Sequence, residues 1–349
     1  MNAAKPATVP ARYDCFNESG MVMKLQIEPR IRVALQLCAS VGLLAFLLSR
    51  LDWQRSLMLI RGAHPLLLAS ILLVHAADRV LMALKWHQLL RVLDDRLERR
   101  SAIAVYYEST FIGFALPLGG FGPDLVRFMR LRGRGIDSHV TLSSMVMERL
   151  NGAIATLVFI VAGCIVLARL APPPGLRHFA LVAAVVAGGA AVVGATLIFY
   201  PALGRGLIRL FKLPASFESG RFAKYAAAAR AYSRQRPTLA LNLGLSMIEQ
   251  TTPVFTMWIA SHALGAPLPW LVCLAVSPVA VIIQRLPLTY GGLGLREGSA
   301  AALLVVLGYD YSTALVLLMT LVVMFLISLL PGAIVLATAG RPLPKRASA

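Results

Sequence analysis

The sequence predicts an all-α polytopic membrane protein, and three observations carry that prediction. The 349 residues are 58% hydrophobic and only 14% charged, with a mean hydropathy of +0.73. A soluble domain is nearer half apolar and a quarter charged. The apolar residues come in runs of about 20, the length that crosses a hydrocarbon core. The 34 Lys and Arg outnumber the 16 Asp and Glu, for a net charge of +18, and they collect between the runs, as cations do in cytoplasmic loops. The same numbers exclude disorder, which needs low hydrophobicity. They also exclude a soluble nucleic-acid binder, whose basic residues form one patch. No nucleic-acid partner is expected.

Residues 1–30 form a polar N-terminal tail without a cleavable leader. The first apolar run, 31–49, is longer than a leader's and is read as a retained helix. Further clear spans follow at 65–88, 141–168, 178–200, 237–262 and 312–338. Segment 102–118 is short and interrupted. Segment 268–308 holds two apolar arms, 268–286 and 297–308, which form either two crossing helices or one hairpin. The transmembrane domain therefore covers 31–338 with about six to eight helices, followed by a short tail, 339–349.

Twenty-five cationic residues fall on one side of these spans, in 1–32, 85–134, 205–236 and the tail. Arg50, Arg55, Arg61, Arg169 and Arg177 fall on the other, and Arg79, Arg149, Arg285 and Arg296 lie inside. The positive-inside rule then puts both termini in the cytoplasm, with a bacterial inner membrane as the expected home. Basic residues at both ends make 102–118 a re-entrant helix entered from the cytoplasm. The stretch 201–236 interleaves Arg and Lys with Leu, Phe and Ala; it reads as a basic amphipathic segment on anionic lipid or as an ordinary positive-inside loop. Trp86 and Trp270 are expected as interfacial anchors. Cys38, Cys164 and Cys273 are expected as small buried hydrophobes, not as zinc ligands or a disulfide framework.

The two interrupted segments match each other. The first reads Leu116-Pro117-Leu118-Gly119-Gly120-Phe121-Gly122, then Asp124 and Arg127. The second reads Leu286-Pro287-Leu288, then Gly291-Gly292-Leu293-Gly294, Arg296 and Glu297. One enters from the cytoplasm and the other from outside, which is the pattern of an inverted repeat with broken helices. Proline and clustered glycine end a helix and free backbone groups that lipid cannot satisfy, so the breaks must face protein or a polar cavity. The helix N-terminus after such a break offers donors to an anion such as a lipid phosphate. Neither cluster is a nucleotide loop, and no cofactor is expected.

Ionisable residues inside spans mark candidate sites. His75, Asp78, Arg79 and Lys85 share one helical face. Ser144, Glu148 and Asn151 follow helical spacing with Arg149 beside them, and Asn242, Ser246 and Glu249 repeat that spacing before Pro253. Three such stripes suit one shared cavity. The candidate lipid-binding set is Asp124, Arg127, Glu148, Arg149, Glu249, Arg285, Gly291, Gly292, Gly294, Arg296 and Glu297.

The blocks LPLGGFGPDLVRFMRL, MERLNGAIA (147–155), ALKWHQLL (83–90) and LPLTYGGLGLREG (286–298) resemble the transmembrane domain of lysylphosphatidylglycerol synthases, which also occurs alone in flippase-like membrane proteins. The first block departs from the family's GGD-x-x-R by placing Pro123 between glycine and Asp124. The resemblance implies lipid handling, with membrane lipids (an anionic phospholipid or a lipid-linked glycan) as partners and a separate biosynthetic enzyme as a further one. The family's soluble synthase domain is not expected in this chain, so neither is tRNA-dependent synthesis. The leading expectation is a translocase that moves a (glyco)phospholipid or a polyprenyl- or hopanoid-type lipid between leaflets and is not an enzyme. A membrane-embedded lipid-linked transferase, or a non-transporting partner of an envelope-lipid enzyme, stands beside it.

Overall fold

A computed structural model describes residues 29–116, 119–170, 173–200, 223–284 and 288–339. The described residues are helical, with no strand among them. In chain order the helices are α1 (Pro29–Ser49), α2 (Trp53–Arg61), α3 (Pro65–Arg91), α4 (Arg99–Ala115), α5 (Gly122–Arg132), α6 (Ser138–Arg169) and α7 (Pro174–Phe199). They continue as α8 (Ala223–Arg234), α9 (Arg236–Ala263), α10 (Trp270–Gln284), α11 (Leu295–Val306), α12 (Tyr311–Ser328) and α13 (Leu330–Ala339). Single 3₁₀ turns, Gly119–Phe121 and Tyr290–Gly292, sit in the two glycine-rich breaks.

Among the described residues, four helices are long and apolar enough to span a membrane: α3, α6, α7 and the continuous run Tyr311–Thr338. The chain after α1 is not a plain loop. Asp52 accepts from the backbone N–H groups of Gln54 and Arg55, both at 3.1 Å, and starts α2, which turns 93° away from α1. Helix α9 has 28 residues, about 42 Å of rise, and is long enough to cross. Its composition is less apolar because it carries the polar stripe.

The two broken segments are helical hairpins. In the first, α4 folds back onto α5 where Gly113 meets Gly122; a Cβ on Gly113 would lie 2.6 Å from the Pro123 Cα. Pro123 is accommodated because it falls in the first turn of α5, where its missing N–H costs nothing. In the second, α10 and α11 have 15 and 12 residues, about 22 and 18 Å of rise. Each falls short of a hydrocarbon core of about 30 Å. They pack on each other, as the two arms of a hairpin do.

Between helices in lipid, the attraction comes from close packing of small residues. Ala180, Ala184, Ala187 and Ala191 of α7 are buried, and the first three pack with Ile160, Cys164 and Leu167 of α6. The opposite α7 face exposes Val182, Val185, Val186 and Val193, an apolar surface suited to acyl chains. Gly163 lets α6 reach α10, and Gly332 lets α13 cross α4 against Phe111. Cys164 and Cys273 are buried as expected, but Cys38 is exposed on α1. Most of the basic stretch 201–236 lies outside the described residues. Its final part forms α8, where the buried Tyr232 donates to the Leu89 carbonyl at 3.0 Å.

Candidate functional site, a charged cavity at the second glycine break

Helical periodicity places His75, Asp78 and Arg79 on one face of α3. That face borders a cavity of about 310 Å³. Across it, α9 contributes Glu249, Gln250, Thr252, Pro253 and Thr256; α10 contributes Ser277 and Gln284; α11 contributes Arg296 and Glu297; and α12 closes it with Leu318, Leu321 and Phe325. His75 is the eleventh of 27 residues in α3, and Glu249 the fourteenth of 28 in α9. The α3 and α9 charges thus sit near the middle of their helices, while Arg296 and Glu297 lie in the first turn of α11. Pro253 has no N–H for the Glu249 carbonyl, so the proline adds a free backbone acceptor beside the cavity.

The second glycine break shapes one wall. Gly291, Gly292 and Gly294 adopt φ of 61°, 80° and 83°, a region that costs other L-residues about 1–2 kcal/mol each. A Cβ on Gly292 would lie 2.9 Å from the Gln284 Cα. The glycines therefore let the turn fold onto the end of α10, and Gln284, Arg296 and Glu297 come side by side. Arg296 donates to Glu297 Oε1 at 2.6 Å and to Gln284 Oε1 at 3.3 Å. The other Glu297 oxygen accepts from the Gly294 N–H at 2.7 Å. The donor expected to stand open at this helix start is thus already taken by the chain's own carboxylate.

Further along α3, Lys85 pairs with Glu249. Asp78 accepts from the Thr252 hydroxyl at 2.9 Å. Two buried atoms on the α3 face, His75 Nε2 and Arg79 Nε, have no hydrogen-bond partner. Arg79 lies with its guanidinium carbon 5.6 Å from the Phe325 ring centroid, and its Nη1 meets only the Met82 sulfur, at 3.9 Å.

The first glycine break builds a different arrangement. Arg127 of α5 is buried, donates to Glu148 of α6 at 2.8 Å and pairs with Asp124. Its guanidinium lies 5.0 Å from the Trp86 ring and 4.8 Å from the Tyr106 ring. Arg149 reaches Asp124 at 2.5 Å and the Gly120 carbonyl at 2.5 Å. These four charged residues pair with one another and fasten the α4–α5 hairpin to α6.

The candidates therefore separate into two groups. Asp124, Arg127, Glu148 and Arg149 form the hairpin network; Glu249, Gly291, Gly292, Gly294, Arg296 and Glu297 stand at or beside the cavity. Arg285 lies outside the described residues. The three polar stripes do not line one cavity. Asn151 donates to Asn242 at 2.9 Å, and Asn242 donates to the Lys85 carbonyl at 2.8 Å, so α6 and α9 join through buried amides while only α3 and α9 reach the cavity. Trp86 is not an interfacial anchor: it is fully buried and donates to Ser144 at 3.3 Å. Lys85 is likewise no loop cation but a buried one. Sequence reasoning passed over Tyr106 and Glu108. Glu108 is 3% exposed and pairs with Arg130; its signal was a carboxylate in the apolar run 102–118.

The two breaks touch. The Tyr290 hydroxyl donates to the Phe114 carbonyl at 3.1 Å, and the Phe114 and Phe325 rings stand 5.8 Å apart. No curated protein matches the chain. The family model for the lysylphosphatidylglycerol synthase TM region matches residues 33–333, from within α1 to within α13. Both hairpins and the cavity between α3, α9, α10 and α11 fall inside that match, and the chain belongs to the lysylphosphatidylglycerol synthase transmembrane-region family.

Proposed function

We propose that the protein takes the polar head of a phospholipid or lipid-linked glycan into the α3–α9–α11 cavity and moves it between leaflets, while the acyl chains stay in lipid. The observation that supports this is a charged cavity at mid-helix in a bundle whose outer faces are apolar. Charges held at that depth are costly, and they mark substrate pathways in membrane proteins. Glu249, Arg296 and Glu297 contact the headgroup or balance its charge. Asp124, Arg127, Glu148 and Arg149 hold the first hairpin in place beside it. The protein acts by transport rather than by catalysis, receiving its lipid from a separate biosynthetic enzyme in a bacterial inner membrane, with both termini in the cytoplasm.

Leaflet exchange tests this reading. The purified chain is reconstituted in liposomes holding a fluorescent anionic phospholipid or a fluorescent lipid-linked glycan, and a membrane-impermeant quencher reports the exposed leaflet over time. Exchange faster than in empty liposomes, and slower with Arg296→Ala, is the expected result. Exchange no faster than in empty liposomes for either class overturns it.

A further inference from the structure

The cations beside the cavity are not equivalent. Lys85 is taken by Glu249. Arg296 is taken by Glu297 and Gln284. Arg79 pairs with no carboxylate among the described residues, although Asp78 precedes it and accepts from Thr252. Its Nε is buried without a partner, its Nη1 has only a long contact to the Met82 sulfur, and its face lies over Phe325. One turn earlier on the same face, His75 Nε2 is also buried without a partner, and the His75 ring meets Phe325 edge-on at 6.2 Å between centroids. Residues i and i+4 sit about 6 Å apart on a helix, so the two unused groups border the same part of the cavity.

An unpaired guanidinium and an unsatisfied imidazole are both costly inside a bundle. Together they provide a planar fork of donors and one further donor, directed at a polar space. A guanidinium matches a tetrahedral phosphate oxyanion in two parallel hydrogen bonds. We infer that Arg79 and His75 form an anion site for the phosphate group of the transported lipid. The inference rests on the lipid-binding reading of the cavity and places the phosphate contact on α3. Phe325 holds the guanidinium plane from behind, and the Asp78 carboxylate beside it is held by Thr252.

The test measures binding to the full chain in detergent. The probes are short-chain phosphatidylglycerol, diacylglycerol of the same chain length and inorganic phosphate, each read as a concentration-dependent rise in the unfolding midpoint. Phosphatidylglycerol is expected to stabilise the protein and diacylglycerol not to. A response to inorganic phosphate matching that to phosphatidylglycerol assigns the site to the free anion instead of a headgroup, and still supports a phosphate site. Arg79→Gln is expected to weaken phosphatidylglycerol binding about tenfold or more, as loss of a charge-assisted pair does. Arg55→Gln, at the exposed pair with Asp310, leaves it unchanged. If Arg79→Gln unfolds without a cooperative transition, His75→Phe carries the test, with an expected loss of about threefold from one neutral donor. Wild-type binding in whichever of these variants folds, or equal stabilisation by diacylglycerol, overturns the inference. The outcome separates from that of the translocation reading. Leaflet exchange with no dependence of binding on Arg79 and His75 removes the phosphate site alone, and Arg79-dependent binding without exchange removes translocation alone.

Discussion

Lys85 of α3 and Glu249 of α9 face each other as an ion pair beside the cavity, the ammonium 2% exposed and the carboxylate 17% exposed. The Lys85 backbone carbonyl is bound by Asn242, so one residue of α3 is gripped twice by α9. Removing one partner of such a pair leaves a buried charge uncompensated. Glu249→Gln is expected to cost about 3 kcal/mol, read as a lowered midpoint of thermal unfolding in detergent. The double variant Lys85→Met with Glu249→Leu is expected to recover most of that loss, because two apolar groups leave no orphan charge. It should still fail to support leaflet exchange if Glu249 touches the headgroup. Recovery of both stability and exchange would assign the pair to packing alone.

The Arg127 network makes a sharper claim about chemistry than about charge. Arg127 uses one guanidinium to reach Asp124 and Glu148 while lying over the adjacent Trp86 and Tyr106 rings. Lysine carries the same charge but lacks the planar fork and the stacking face. Arg127→Ala is expected to destabilise the protein by about 3–5 kcal/mol, and Arg127→Lys to recover less than half of that. Equal midpoints for wild type and Arg127→Lys in the same detergent would show that charge alone suffices.

Much of the fold was legible because its signals are local. Apolar runs set the long helices, and the glycine triplets marked turns that only glycine enters at low cost. The pairing of the two breaks through Tyr290 and Phe114 was not legible, since it joins residues 176 positions apart. Trp86 and Lys85 were misjudged for one shared reason: distance from a helix end says nothing about which face a neighbour covers. At the site, charged residue types identified the participants, but which arginine is paired depends on geometry. Arg127 and Arg296 carry the motif resemblance and both pair with carboxylates, while Arg79 lies outside any glycine motif and pairs with none among the described residues.

At the membrane edge, Asp310 starts α12. Its carboxylate accepts from the Thr313 N–H and hydroxyl, both at 2.9 Å, and pairs with Arg55 at 3.3 Å. The Thr313 backbone N–H, with help from the Thr313 hydroxyl and Arg55, holds this carboxyl below its ordinary value of 3.8. A depressed carboxyl stabilises the fold above its unfolded value, and that contribution is lost as pH falls through the folded one. The wild-type midpoint should therefore drop further than that of Asp310→Ala when the pH is taken below 3.8. At neutral pH, Asp310→Ala is expected to cost about 1 kcal/mol, as loss of a helix cap does; parallel pH profiles of the midpoint would count against this coupling.

The two glycines Gly292 and Gly294 separate backbone strain from steric room. Both have positive φ, so alanine at either is strained through the backbone, by about 1–2 kcal/mol in the left-handed helical well and by more at Gly294, whose ψ of −47° lies outside it. Around Gly294 the nearest atoms to an added Cβ belong to the Leu43 side chain, at 3.3 Å, and that side chain can yield. Around Gly292 they include the Gln284 Cα at 2.9 Å, which moves only if α10 moves. Gly292→Ala should then displace the end of α10, which Gly294→Ala leaves in place. It should also disturb the site, because shifting Gln284 breaks its contact with Arg296. Leaflet exchange is expected to fall further in Gly292→Ala than in Gly294→Ala, even at a temperature where both variants stay folded. Equal loss of exchange in both would mean that the turn's backbone conformation alone matters and that the seating of Gln284 against Arg296 does not.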